Sequence, residues 1–373
     1  MRTQKSIKQK LLTASAMLLM LAASWAHAAP PTVTVKDTLG RSVTVPHNPS
    51  RIVAIGAGTL RQLAYLQATD KIVGVEDIEK NYPENQRSRP YRTAHPKLAQ
   101  FPRIGPGGSG VGFKKPDYEL LLAVRPQVIF MTNMDVPLAD EVQKTLGIPV
   151  IILDYGQATG IDAALFNSLR VAGKALQREQ RAEAVISYIQ AAEQDLRKRV
   201  KGVQPKTAYV GAVNFRGSHG INGTAKLYFP FEWLGVNNAV KHLPEKGQGS
   251  HGHLKLDKEM LLKLNPETIF VDAGGFPLVQ EDYRKNPQFY QALRAVQTQQ
   301  VYRLLPFVYY TVNVDTAIAD AYAVGKVLYP QQFADVDLAR KADEIYTFMV
   351  GKPVYQLMQS SHGQLGEKIV FKP

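Results

Sequence analysis

A pattern that occurs twice in the chain constrains the fold more than any other feature of the sequence. Residues 117–130 and residues 257–270 both follow D-x-E-[LM]-L-L-x-[VL]-x-P-x-x-I-F. Each copy is typical of a short amphipathic helix that ends before a proline and leads directly into an apolar strand. Repetition of this packing unit predicts two similarly built lobes, and two lobes imply a cleft that can hold a ligand.

The N-terminal residues have the pattern of a secretory signal peptide. Four basic residues within positions 1–10 precede the apolar run 18–23, and Ala26-His27-Ala28 supplies an A-x-A cleavage site. The apolar run is too short for the alternative, a membrane-spanning helix, and a proline-rich segment follows it. We therefore expect cleavage after Ala28 and a mature protein that is soluble in the periplasm.

Cysteine content and charge narrow the class of protein. The chain has no cysteine, so its stability must come from sizeable cores, and a lipid anchor on an N-terminal cysteine is excluded. The formal net charge is +13, of which the four basic residues of the signal peptide carry four. This charge is compatible with an anionic small molecule, an anionic membrane surface or nucleic acid. Dispersed Lys and Arg residues without a nucleic-acid motif argue against the last of these.

Strand and helix patterns alternate along both halves of the chain. In the first half, a strand at residues 51–55 and a strand at residues 71–75 flank a helical stretch at residues 60–67. The second half begins with another apolar strand at residues 207–213. This alternation predicts an α/β fold with mostly parallel sheets that are covered on both faces.

The segment between the two copies of the repeat predicts a long connecting helix. Residues 174–201 contain neither Gly nor Pro, and their apolar residues recur at helical spacing. The helix is either bounded by Gly173 and Gly202 or broken once near Gln177. The predicted organisation is a signal peptide at 1–28, an N-terminal lobe at 29–173, a connecting helix at 174–201 and a C-terminal lobe at 202–373.

Several motifs, taken in order, resemble those of the periplasmic binding proteins that deliver ferric siderophores, haem and cobalamin to ABC importers. They are Pro49–Val53, Asp70–Val75, both copies of the repeat, the long helix and Leu234–Asn238. The resemblance covers nearly the whole mature chain. It implies two Rossmann-like lobes joined by one long α-helix, with the ligand held between them at loops that follow the strands, where open α/β sheets bind ligands.

Within the second lobe, the loops after strands contain candidate ligand-binding residues. Arg216 offers a planar donor fork to a carboxylate, catecholate or hydroxamate oxygen, and His219 could donate a hydrogen bond or ligate a metal. By its distance to the second repeat, His251-Gly252-His253 aligns with a loop that contacts the ligand in the family. His251 and His253 could complete an iron chelate or bind a divalent ion directly.

Aromatic and basic residues near other strand ends complete the candidate site. Tyr309 and Tyr310 could stack on a flat macrocycle or a catechol ring, and a phenolate could bind haem iron. In the first lobe, Arg61, Arg103 and Tyr155 lie at or just past strand ends. The two arginines would supply counter-charge to an anionic chelate.

The resemblance also implies docking to the permease subunits of an ABC importer in the inner membrane. Family members present one acidic residue from each lobe, and the positions that match here are Glu119 and Glu232. Glu259 occupies the place of Glu119 in the second repeat, although the family contact maps to Glu232. Glu119 and Glu259 could instead be acids that interact favourably with the N-terminal end of a helix dipole.

We therefore predict a monomeric, non-enzymatic binding protein that needs no cofactor of its own and binds no nucleic acid. It would capture an iron chelate of the siderophore kind between its lobes, and binding would favour the closed form that the importer recognises. Haem, cobalamin or a free or histidine-complexed divalent metal are alternative ligands. A secreted metal-dependent hydrolase is a weaker alternative, because the sequence lacks G-x-S-x-G, H-E-x-x-H and a paired-carboxylate arrangement.

Overall fold

The computed structural model describes residues 31–81, 87–107, 116–132, 134–156, 161–214, 217–244 and 252–371. The described residues from Val33 onward form one compact unit. The predicted signal peptide, residues 1–28, lies outside the described residues. The strands are β1 Thr32–Lys36, β2 Ser42–Pro46, β3 Ile52–Ile55, β4 Ile72–Gly74, β5 Val128–Met131, β6 Val150–Ile152, β7 Thr207–Gly211, β8 Gly223–Ala225, β9 Asn237–Asn238, β10 His253–Lys255, β11 Ile269–Asp272 and β12 Val301–Leu304.

Helices separate most of these strands along the chain. Short 3-10 helices lie at Thr69–Lys71 and Pro96–Gln100. The α-helices are α1 Thr59–Tyr65, α2 Asp77–Lys80, α3 Pro90–Ala94, α4 Tyr118–Ala123, α5 Val136–Leu146, α6 Ala163–Leu176, α7 Glu179–Arg199, α8 Phe229–Trp233, α9 Lys258–Leu264, α10 Phe276–Lys285, α11 Pro287–Ala292, α12 Arg294–Gln297, α13 Val314–Leu328, α14 Leu338–Val350 and α15 Tyr355–His362. Within the described part of the chain, none of the helices is both long enough and apolar enough for a bilayer crossing.

Two parallel sheets with the same topology form the centre of the fold. Among the described residues, the first has the order β4-β3-β5-β6 and the second has the order β9-β7-β11-β12. Numbered within each sheet along the chain, both orders are 2-1-3-4. We refer to residues 52–152 as the first lobe and to residues 207–313 as the second lobe. The predicted α/β fold with two Rossmann-like lobes is confirmed.

The repeated sequence pattern takes the same place in both lobes. Its two copies form α4 followed by β5 and α9 followed by β11, the third strand of each sheet. Both helices begin at an aspartate whose side chain accepts a backbone hydrogen bond, at 3.1 Å from Leu120 N to Asp117 and at 2.6 Å from Met260 N to Asp257. The repeat is therefore a structural unit as well as a sequence pattern.

A single break divides the helical segment between the lobes. Gln177 ends α6 in the left-handed conformation, with φ of 55°, and its backbone N–H bonds to carbonyls of the last turn. Residues 174–176 consequently belong to α6, and the long helix α7 begins only at Glu179. The sequence analysis left a break near Gln177 open. Gln can end a helix in the left-handed conformation, but it is not a strong sequence signal for a helix end.

The largest apolar cluster of the described residues runs through both lobes. It joins the inward-facing residues of the two sheets to α1, α7 and the C-terminal helices α13 and α14. Further clusters cover the outer faces of the sheets, and each contains the central leucine of its repeat, Leu121 or Leu261. Since α14 packs on both α1 and α13, the lobes are connected by shared core as well as by α7.

Truncation of Leu63 tests whether this shared core makes the lobes unfold together. Leu63 on α1 is fully buried, whereas Leu122 is 50% exposed. We expect Leu63→Ala to lower the free energy of unfolding by about 2–5 kcal/mol and Leu122→Ala by less than about 0.5 kcal/mol. Urea unfolding should show one transition for both variants. Two transitions, of which Leu63→Ala moves only one, would contradict a core that both lobes share.

Candidate ligand-binding site

Each sheet has a topological switch point at the carboxyl ends of its first and third strands. In the first lobe these are β3 and β5, which lead into Gly56–Gly58 and Thr132. In the second lobe they are β7 and β11, which lead into residues 212–214 and 273–275. Crossover helices leave opposite faces of a sheet at such a point, and the crevice between them is where open α/β sheets bind ligands.

The switch point of the second lobe is tightly packed around Gly275. A Cβ atom on Gly275 would lie 2.6 Å from the backbone oxygen of Ala212 and would collide with the backbone oxygen of His219. The three residues are therefore neighbours: Ala212 and His219 lie in the loop between β7 and β8, and Gly275 lies in the loop after β11. This contact places half-buried His219 beside the crevice.

Arg61 connects the first lobe to the loop at residues 307–313 of the second. Its Nε donates to Asn313 Oδ1 at 2.9 Å, and Nη1 donates to the carbonyl oxygen of Val312 at 2.6 Å. Nη2 donates to the carbonyl oxygens of residues 309, 310 and 311 at 3.1, 2.9 and 3.4 Å. The side chain projects from α1, whose residues are all buried. Its planar donor fork thus fixes the course of the opposite loop.

Glu76 makes a second connection between the lobes. Its Oε2 accepts a hydrogen bond from Tyr310 Oη at 2.8 Å, and its Oε1 accepts one from Gly56 N at 3.1 Å. One carboxyl group therefore contacts both the switch-point loop of the first lobe and the 307–313 loop of the second. Burial raises the pKa of Glu76 to about 7, against the opposing effect of these hydrogen bonds.

The lobes touch where Gly58 meets Thr311. Gly58 has φ of +80°, and a Cβ atom there would lie 2.7 Å from Thr311 Cγ2 and 3.3 Å from Tyr155 Cβ. Glycine is required both by the left-handed backbone and by the close approach of the opposite loop. Tyr155 therefore lies at the junction, beside the switch point of the first lobe.

The chain matches one protein family across both lobes. The family described as periplasmic binding protein matches residues 52–306, a span that includes both sheets. This chain is a member of the periplasmic binding protein family. This is a family of substrate-binding proteins that serve ABC transporters outside the cytoplasm, and not a family of enzymes.

Individual relatives of this periplasmic binding protein bind chemically different ligands. The molybdate-binding protein MolA of Haemophilus influenzae is 24% identical over 334 residues, which are 84% of this chain and 89% of MolA. The structure of MolA bound to molybdate has a TM-score of 0.65 at 21% identity, over 86% of this chain and 98% of that one. CeuE of Helicobacter pylori, solved with Ni(II) bound, has a TM-score of 0.59 at 21% identity, over 86% and 96%. The petrobactin-binding protein YclQ of Bacillus subtilis has a TM-score of 0.56 at 18% identity, over 80% and 99%. The structural likenesses show the fold.

The candidate residues of the first lobe divide between the lobe junction and the surface. Tyr155 lies at the junction, and a ligand contact by its side chain stays a prediction. Arg61 also lies there, but its guanidinium is 2% exposed and is bound to the second lobe, so the structure gives it a bridging role. Arg103 lies on the surface, where its exposed guanidinium pairs with Asp77 at 2.7 Å. A ligand contact by Arg103 is therefore not supported.

The tyrosines of the 307–313 loop are held by the first lobe. Tyr310 is buried, and its hydroxyl group donates a hydrogen bond to Glu76 Oε2. Tyr309 is half-buried, and the guanidinium carbon of Arg89 lies 4.9 Å from the centre of its ring. Both tyrosines are at the junction of the lobes, but one face of Tyr309 is already covered.

Only some of the candidate residues Arg216, His219, His251 and His253 of the second lobe lie within the described residues. Arg216 and His251 lie outside them. His253 is a buried strand residue that pairs with Ala225 in the β8–β10 ladder, instead of a member of a flexible loop as predicted. The described residues contain no group of three or more His, Cys, Asp and Glu side chains that could hold a metal ion. Direct metal ligation by His251 and His253 stays a prediction.

Two buried acids near the switch points, Glu76 and Asp272, were not predicted from the sequence as site residues. Glu76 directly follows an apolar strand segment, and an acid in that position is the one local signal that could have identified it. Asp272 ends β11 at the second switch point, where it is fully buried and accepts a hydrogen bond from Gly274 N at 2.8 Å. Burial raises the pKa of Asp272 to about 8. Burial therefore favours the protonated form of one acid at each switch point.

Substitution of Arg61 tests the bridge. Arg61→Ala leaves buried carbonyl oxygens without their donor, and we expect the free energy of unfolding to fall by roughly 2–4 kcal/mol. Arg61→Lys keeps the charge but loses the planar fork, so its stability in urea unfolding should lie between those of the wild type and Arg61→Ala. Arg103→Ala, which removes an exposed arginine, serves as the control and should change little. Wild-type stability in Arg61→Lys would show that the fork itself is unimportant.

Proposed function

We propose that this periplasmic binding protein captures a compact metal-containing anion, of the molybdate type, in the crevice between its lobes and hands it to an ABC permease. The observation that carries the proposal is the contact of Gly58 with Thr311, beside the Arg61 bridge. Because the lobes already touch there, a ligand that fits without separating them must be small. The similarity to molybdate-binding MolA over 84% of the chain supports the same ligand class.

Charge supports an anionic ligand. The chain has 45 Lys and Arg residues against 32 Asp and Glu residues. A positive surface potential increases the encounter rate with anions. The pKa values of buried Glu76 and Asp272, raised to about 7 and about 8, reduce the opposing negative charge at the switch points. At pH 6, Glu76 and Asp272 would therefore be largely protonated and would oppose an incoming oxyanion less.

A small ferric chelate is the second candidate. Half-buried Tyr155 lies at the lobe junction, and an aromatic face in this position could pack against a catechol ring. This ligand would require the Gly58–Thr311 contact to open, because a chelate is bulkier than a tetrahedral oxyanion. The resemblance to siderophore-delivery proteins keeps this candidate alongside the first.

For docking to the permease we propose Glu119 and Glu259. They occupy the same position in the two copies of the repeat, and both are exposed in the first turn of their helices. Glu232, the position expected from the family, is half-buried with its carboxylate 3.6 Å from Lys241 Nζ. An acid that is already partly neutralised is a weaker partner for a basic pocket.

Titration of the purified protein tests the ligand class. Isothermal calorimetry with molybdate, tungstate, sulfate, a ferric catecholate and Ni(II) would compare the candidates directly. We expect molybdate to bind with a Kd below about 1 μM, which corresponds to ~8 kcal/mol. Binding of the ferric catecholate in preference to molybdate would favour the second candidate. Absence of binding to all of these probes would contradict capture of a metal-containing anion.

Charge reversal tests the docking residues. Glu119→Arg and Glu259→Arg should each abolish uptake of the bound ligand when they replace the wild-type protein in cells, because each removes the acidic contact of one lobe. Their ligand affinities should not change. Glu232→Arg is the matched control and should retain most of the uptake. Loss of uptake in Glu232→Arg alone would restore the position expected from the family.

A further inference from the structure

The carboxyl group of Glu76 lies between the switch-point loop of the first lobe and the 307–313 loop of the second. We propose that Glu76 is a positioning residue that couples the two loops and makes ligand capture weaken as pH rises. The part of this proposal that concerns capture rests on the proposed function. The coupling of the two loops stands on contacts within the protein alone.

The contacts of Glu76 leave the carboxyl group little freedom. Glu76 is 5% exposed. It follows Val75, which comes directly after β4 and forms an isolated parallel β-bridge with Arg103. One oxygen accepts the Gly56 N–H group at 3.1 Å and the other accepts the Tyr310 hydroxyl at 2.8 Å. A movement of the Gly56–Gly58 loop must therefore either carry Tyr310 with it or break one of these hydrogen bonds.

Tyr310 is held at both ends by the first lobe. Its hydroxyl donates to Glu76, and its carbonyl oxygen accepts a hydrogen bond from Arg61 Nη2 at 2.9 Å. Its backbone is left-handed, with φ of 51°, a conformation that a tyrosine adopts only when its surroundings impose it. Glu76 and Arg61 together impose it here. The 307–313 loop is thus shaped by the lobe it faces.

The charged groups around Glu76 lie on each of the elements that pack against it. Asp77 and Glu79, which follow it in the chain, disfavour its ionised form. Arg103 pairs with Asp77 at 2.7 Å, and Arg89 pairs with Glu79 at 2.8 Å, so cations largely neutralise these two acids. A further cation, Arg92, lies 3.5 Å from the Glu79 carboxylate, and Arg61 binds the 307–313 loop. Tyr310 and Gly56 favour the ionised form by hydrogen bonding.

Burial raises the pKa of Glu76 more than these hydrogen bonds lower it, and this net effect determines the direction of the pH dependence. The pKa of Glu76 rises from 4.5 to about 7. A carboxyl group with a raised pKa binds its proton more tightly in the closed structure than in an opened or unfolded one. Its contribution to the lobe contact is therefore complete below about pH 4.5 and is lost as pH rises to about 7. Above that pH, the carboxylate also repels an anion beside Gly56.

Two conservative variants separate positioning from a merely structural role. Glu76→Gln cannot ionise, and its amide oxygen can accept the Gly56 N–H group while its NH2 group donates to Tyr310 Oη, so it mimics the protonated side chain with the direction of one hydrogen bond reversed. Tyr310→Phe removes only the hydroxyl and leaves the ring in place. The double variant allows the coupling energy between the two side chains to be measured by a double-mutant cycle.

The ligand-free test is urea unfolding of the wild type and these variants between about pH 5 and pH 8. We expect the stability of the wild type relative to Glu76→Gln to decrease as pH rises through this range. The effects of Glu76→Gln and Tyr310→Phe should be non-additive. The coupling would be overturned if the difference in unfolding free energy between the wild type and Glu76→Gln were constant with pH and if the effects of Glu76→Gln and Tyr310→Phe were additive. If Glu76→Gln fails to fold, the difference in unfolding free energy between Tyr310→Phe and the wild type must still vary with pH.

The ligand test is calorimetric titration with molybdate over the same pH range. The Kd of the wild type should increase several-fold from pH 6 to pH 8, whereas that of Glu76→Gln should increase less, by the part that ionisation of Asp272 contributes. Equal pH dependence in both proteins would overturn the role of Glu76 in capture. If molybdate binds neither protein, the oxyanion function fails, and the unfolding experiment still decides whether Glu76 couples the loops.

Discussion

The hydrogen bonds of the Arg61 guanidinium to the backbone of the opposite loop hold the two lobes in one arrangement. The acceptors are mainly carbonyl oxygens of residues 309–312, which would be buried without a donor if the side chain were absent. The helix that carries Arg61 is buried on all sides, within the apolar cluster shared by the lobes. Polar and apolar contacts therefore reinforce each other at the same interface.

This interface determines how the protein can hold a ligand. The switch-point loop of the first lobe lies at a boundary where Gly58, Tyr155 and Thr311 are already in contact. Since α13 and α14 add to the connection made by α7, a large hinge motion would expose shared core. Local rearrangement of loops at the strand ends requires much less exposure. This difference is the physical basis for the small ligand that we propose and for the proposed role of Glu76 in affinity.

The fold was largely predictable from the sequence, whereas much of the site was not. The repeat encodes a cap, an amphipathic turn, a proline boundary and a strand within one short segment, so its local signals are sufficient to predict two equivalent lobes. The partners of Arg61 are about 250 residues away and are mostly backbone atoms, which carry no sequence signal. The position of Arg61 shortly after a strand made it a candidate, but this position could not distinguish a ligand contact from a bridge. Likewise, His253 appeared to belong to a loop because the short β8–β10 ladder has no extended apolar pattern.

The distance between the lobes in the ligand-free protein tests most directly whether the Arg61 bridge holds them together. The chain has no native cysteine, so Leu122→Cys and Leu262→Cys would place one spin label on each copy of the repeat. Pulsed electron paramagnetic resonance should give one narrow distance distribution, which becomes broad when Arg61→Ala is added. A broad or two-peaked distribution in the protein with Arg61, unchanged by Arg61→Ala, would contradict a bridge that holds the lobes together.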